Sequence, residues 1–132
     1  MLLARVILVI QLLGLAGLGL AYFSRPHEMA NLSGMLLMAP AAATDMRAFY
    51  GGMQLGLAAF IGLSLARQEL SRAALTLLVL LYSALALARI GGLWLDGGAQ
   101  QTFNLYALLL ELVSVGLCFW ALRGLNKAEQ AR

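Results

Sequence analysis

Four apolar runs, residues 2–23, 47–66, 73–95 and 102–122, constrain this chain more than anything else in it. Each approaches the roughly 20 residues that an α-helix needs to cross about 30 Å of hydrocarbon at a rise of about 1.5 Å per residue. Between the second and third runs lie only a few polar residues, Arg67-Gln68-Glu69, and between the third and fourth the turn-forming Asp96-Gly97-Gly98-Ala99-Gln100-Gln101. Asp-Gly-Gly suits a tight turn because glycine accepts positive φ without steric cost. The predicted fold is therefore all-α: an integral membrane four-helix bundle forming one domain over residues 1–125, with a polar tail, 126–132, expected to fray.

Composition agrees. Hydrophobic residues make up 62% of the chain and charged ones 11%, against about 45–50% and 25% in a soluble domain. Mean hydropathy is +0.86. Too little polar side chain exists to cover a water-facing surface. The net charge of +3 is small and scattered, which argues against a nucleic-acid footprint, since that needs a clustered basic face. Cys118 is the only cysteine and His27 the only histidine. A disulfide within the chain, a Cys-x-x-Cys pair and a zinc site are therefore not expected, and no metal or cofactor is assigned. Among Leu117, Phe119 and Trp120, Cys118 reads as a small apolar filler.

The run that follows Arg5 is longer than a signal-peptide core and is expected to be a retained first span. The connector 24–44 contains an apolar stretch, 31–43, too short to cross. It predicts a short interfacial or re-entrant helix between the first two spans, started by Asn31 or Ser33 and ended at Pro40. Arg5, Arg67, Arg72, Arg123, Lys127 and Arg132 would lie on one side of the membrane, and Arg25, Arg47 and Arg89 on the other. A positive-inside bias then predicts both termini in the cytoplasm.

The chemistry-bearing residues fall on helical stripes. Arg47, Tyr50 and Gln54 share a face of the second span, Tyr82 and Arg89 a face of the third, and Asn104 and Glu111 a face of the fourth. Counted from the outer ends of their spans, Gln54 and Glu111 lie about 10–14 Å deep. A mid-span carboxylate costs roughly 2.5–3.5 kcal/mol, while about ten large apolar residues in the same span return about 3–6 kcal/mol. The span still inserts, but Glu111 should face other helices and meet Arg89 or be protonated. Asp45 and Asp96 are expected at the mouth of such a cluster.

Glycines add a packing reading. Gly51, Gly52 and Gly56 in the second span, and Gly14, Gly17 and Ala21 in the first, predict small faces for close helix contact, including contact within a homo-oligomer.

The run Asp45-Met46-Arg47-Ala48-Phe49-Tyr50-Gly51-Gly52-Met53-Gln54-Leu55-Gly56, followed by Arg89, Gly91-Gly92, Asp96-Gly97 and Glu111, resembles the bacterial family catalogued as domain of unknown function 4345. The resemblance covers nearly the whole chain. It implies a short four-helix membrane protein, distantly similar to DoxX-like proteins, and carries no activity with it.

Together these features predict a multi-pass protein of the bacterial inner membrane. Its outer-half cavity would bind a membrane lipid or other amphipathic small molecule through Arg47, Tyr50, Gln54, Arg89, Asn104 and Glu111. The alternatives are a small oligomeric proton-coupled transporter and an accessory subunit of a membrane complex. No nucleophile–base pair or phosphate loop is present to assign a reaction.

Overall fold

A computed structural model describes residues 1–97 and 101–132. The remainder of the predicted Asp96–Gln101 turn, residues 98–100, lies outside the described residues. Among those described, the secondary structure is entirely helical, as expected. The order is α1 (Leu2–Ser24), α2 (Pro26–Leu32), α3 (Pro40–Ala66), α4 (Ser71–Asp96) and α5 (Thr102–Gln130), with a single 3₁₀ turn, Gln68–Leu70, leading into α4. Four of these helices are long and apolar enough to span a membrane.

Their surfaces agree with that reading. Leu13, Leu80, Leu87 and Leu110 are each more than three-fifths exposed. Scattered exposed leucines are unremarkable in water, but whole apolar helix faces are not. In hydrocarbon the same faces are solvated, and a helix satisfies its own backbone where water is absent. The chain is a multi-pass membrane protein.

Contacts divide the chain into two compact units, Leu8–Arg67 and a second made of Met1–Ile7 with Gln68–Arg132.

Within Leu8–Arg67, proline and glycine set the boundaries. Arg25 leaves helical geometry (φ −133°, ψ 64°) and Pro26 opens α2, where its missing N–H is no loss. Gly34 ends α2 with φ +80°. The Gly34 amide donates to the Asn31 carbonyl, and the Met35 amide to that of Ala30. This is the glycine-terminated cap that closes many helices, and Met35 packs beside Ala30 as that motif favours.

The short helix thus lies earlier than the predicted 31–43 stretch. Ser33 sits at its end rather than its start, its hydroxyl donating to the Ala30 carbonyl. Pro40 begins a helix instead of ending one. The cause is the one invoked for the opposite outcome: proline drives the preceding residue, Ala39 (φ −144°, ψ 155°), into extended backbone. The second long helix consequently starts at Pro40, seven residues ahead of the expected Arg47.

Inside α3, residues Arg47–Gly52 widen into a π-helical turn, and the Met53 amide donates to the Ala48 carbonyl five residues back. Such turns occur mostly singly and often at functional positions. A small core of Tyr22, Ala30 and Met46, joined by Met29, Met35 and Leu37, ties α1, α2 and α3 together.

α1 and α3 meet closely at Gly19 and Gly51. A Cβ on Gly19 would stand 2.9 Å from Leu55 Cγ and 3.0 Å from the Gly51 carbonyl oxygen, and one on Gly51 3.1 Å from the Phe23 amide nitrogen. By contrast, a Cβ on Gly14, Gly17 or Gly56 would meet nothing within 4 Å. The four-residue glycine spacing does not mark this contact.

In the other unit, α4 and α5 run antiparallel. Arg72 pairs with Glu129 towards one end, and Arg89 with Glu111 towards the other. The buried residues Glu111, Cys118 and Leu125 repeat every seven positions along α5, the spacing that holds one face towards a partner helix. The residues expected to fray continue α5 to Gln130, where the charged Glu129 has a partner to hold.

Candidate functional site

The helices of the α4–α5 hairpin bring three of the sequence candidates into one hydrogen-bonded group. Arg89 lies on the stripe of α4 that also carries Leu75 and Tyr82. Its Nε donates to both carboxylate oxygens of Glu111 (3.1 and 3.0 Å), and its Nη2 donates to Oε1 at 2.6 Å. Its Nη1 donates to Asn104 Oδ1 at 2.7 Å, and Asn104 Nδ2 donates in turn to Gln101 Oε1 at 2.9 Å. The guanidinium presents a planar fork, which a carboxylate matches with two parallel bonds. Only 8% of the Glu111 side chain is exposed, against 24% for Arg89. The acid is enclosed, and the base is partly so.

The group continues inward along the same stripes. Tyr82, seven residues before Arg89, shares a hydrogen bond with Ser114, three residues after Glu111. Neither Gln101 nor Ser114 was among the sequence candidates. Ser114 could have been found from spacing, since it lies three positions from Glu111 on the same helix face; Gln101 precedes α5, where the helical repeat gives no guide. Asp96 is exposed.

Arg72 and Arg89 are separated by about 25 Å along α4 at a rise of 1.5 Å per residue. The two ion pairs of the hairpin are therefore nearly one hydrocarbon thickness apart. The Arg72–Glu129 pair is well exposed, at 45% and 69%, while Arg89–Glu111 is the enclosed one.

Arg47, Tyr50 and Gln54 belong to the Leu8–Arg67 unit and find their surroundings there. Arg47 Nη1 donates to the Phe23 carbonyl, and its guanidinium lies 5.6 Å from the centre of the Phe23 ring. Tyr50 stacks against Tyr22 with ring centres 5.2 Å apart and planes tilted by 31°, a favourable offset arrangement. Gln54 is half-buried and Asp45 exposed. Beside Arg47, between α2 and the start of α3, opens a groove of about 460 Å³ lined by His27, Leu37, Met38, Ala39, Pro40, Ala43, Thr44 and Arg47.

Four membrane-crossing helices, an enclosed Arg–Glu–Asn group in a helical hairpin and a cation-bearing groove define a small polytopic α-helical membrane protein. The family is equally definite. The chain belongs to the family described as domain of unknown function DUF4345, which matches residues 3–122. Neither the curated proteins nor the solved structures yield a match.

Proposed function

We propose that this is a bacterial inner-membrane protein, with both termini in the cytoplasm, that binds a lipid-like or other amphipathic small molecule. The observation that carries this reading is the Arg89–Glu111–Asn104 group, set within two helices apolar enough to cross a membrane. Ionisable side chains inside spans are costly and by default mark functional positions. Holding helices together is a poor reason for such a pair, because a buried ion pair rarely stabilises more than well-packed apolar residues would.

Glu111 and Asn104 orient Arg89, whose partly exposed side chain meets an oxygen of the ligand's head. The leucine faces of α4 and α5 carry its tail. Arg47, Tyr50 and Gln54 serve the same ligand class within their own unit, and Asp45 and Asp96 stand at the edges of these sites. With the termini cytoplasmic, the Arg89 group falls in the outer half of the membrane, because Glu129 near the carboxyl end marks the other end of the hairpin.

Mass spectrometry of the protein released from native membrane tests this directly. Wild type should carry a defined small molecule, and Arg89→Ala and Glu111→Gln should lose it. Unchanged bound species in both variants would refute the reading.

One observation favours a second reading, a small oligomeric proton-coupled transporter: Glu111 is an enclosed acid. To carry protons it would have to release Arg89 in each cycle. Proton-driven uptake into proteoliposomes that persists in Glu111→Gln would eliminate this alternative. A stoichiometric membrane partner on purification would instead favour an accessory subunit.

A further inference from the structure

Among the described residues, Arg47 lacks the carboxylate partner that three other arginines have. Arg25 has Glu28, Arg72 has Glu129 and Arg89 has Glu111. Arg47 has no carboxylate partner among the described residues. It is held instead by the Phe23 carbonyl and ring. That arrangement uses one of the five N–H donors of a guanidinium and leaves its charge uncompensated. His27 and Thr44 line the same groove, and both are exposed.

The rest of the groove lining is apolar: Leu37, Met38, Ala39, Pro40 and Ala43. Next to it Leu36 and Met38 are 73% and 87% exposed, while Arg25 and Glu28 carry charge on α2. A segment with exposed apolar residues beside charged ones suits the headgroup boundary, where amphipathic segments bury their apolar side in the acyl region. An uncompensated cation, two further hydrogen-bonding side chains and an apolar wall are what a lipid phosphate and its first acyl carbons require. A free anion would gain nothing from the wall.

We infer that the groove between α2 and the start of α3 is a binding site for a phospholipid with an anionic headgroup, whose phosphate is held by Arg47, His27 and Thr44. This rests on the reading that the protein holds an amphiphile, and it adds the site and the headgroup class. The site itself contains no residue of the Arg89 group.

The test uses the full chain in nanodiscs containing equal amounts of phosphatidylglycerol and phosphatidylcholine. A small fraction of the phosphatidylglycerol carries a photoactivatable acyl chain. Wild type should retain phosphatidylglycerol preferentially on release into the mass spectrometer, with crosslinks mapping to residues 35–44. Arg47→Gln should lower that retention about tenfold, the effect of removing a charged hydrogen-bond donor. Met38→Trp, which fills the groove but keeps Arg47, should lower it as well, and guards against a folding defect peculiar to the arginine variant.

Retention unchanged in both variants, with lipid still lost in Arg89→Ala, would overturn the groove and leave the amphiphile reading standing. Wild type without retained lipid would overturn both. Displacement of the lipid by inorganic phosphate alone would overturn the lipid as occupant.

Discussion

Arg89 and Glu111 meet side-on, with Nη2 2.6 Å from Oε1 and Nε 3.0 Å from Oε2, across two helices that both face lipid elsewhere. Removing either partner leaves the other charge enclosed without its counter-ion. Glu111→Leu and Arg89→Leu should each destabilise the protein by about 3 kcal/mol, and the double variant by less than their sum. Arg89→Lys should recover only part of the loss, because an ammonium is a point charge without the fork. Unfolding in mixed micelles measures all four. Additive single effects would show that the contact contributes nothing as a pair.

The Arg72–Glu129 pair should behave differently. Both side chains are largely exposed, so water and salt screen their attraction. Glu129→Ala should cost less than about 1 kcal/mol, and that cost should vanish in molar salt. The effect of Arg89→Leu should survive the same salt. Stability measured at low and high ionic strength separates the two ion pairs.

What was legible in the sequence, and what was not, follows from the kind of signal each feature leaves. Arg89, Asn104 and Glu111 could be placed together because charges are rare in spans and their positions follow the helical repeat. The partner of Arg47 could not, because a backbone carbonyl has no residue-type signature. The glycine reading named Gly51, Gly52 and Gly56 without ranking them, because spacing alone does not say which one meets α1; the contact falls on Gly51. Pro40 was recognised as a helix boundary, yet the same steric rule admits a start as well as an end. The polar residues 126–132 read as a tail because the partner of Glu129, Arg72, lies 57 residues upstream, where local composition does not reach.

Cys118 offers a probe of the hairpin. It is fully buried on the same stripe as Glu111, and a thiol reacts only where reagent and base can reach it. The folded protein in mild detergent should resist maleimide modification, with complete labelling after denaturation. Arg89→Leu should speed labelling if the ion pair holds the hairpin closed. A wild-type thiol labelled as fast as that of a free peptide would contradict the packing of α5 described above.

The crossing of α1 and α3 gives the sharpest contrast between two glycine readings. At Gly51 an added methyl would press on the Phe23 amide nitrogen (3.1 Å) and the Gly19 carbonyl oxygen (3.2 Å). Both obstacles are backbone and cannot rotate away, so the helices must separate. Separation would also draw the Phe23 carbonyl away from Arg47. Gly51→Ala should therefore destabilise by about 1–3 kcal/mol, the range for forcing atoms into a packed contact. At Gly19 the nearest atom is Cγ of the Leu55 side chain, and the Gly51 carbonyl oxygen follows at 3.0 Å, so Gly19→Ala should be similarly harmful. Gly14→Ala, Gly17→Ala and Gly56→Ala meet open space and should be neutral or slightly stabilising, since alanine favours helix over glycine. Thermal unfolding of the five variants in one detergent decides between the readings. Loss of stability at Gly56 with none at Gly51 would assign the contact to the four-residue spacing and remove the crossing from this fold.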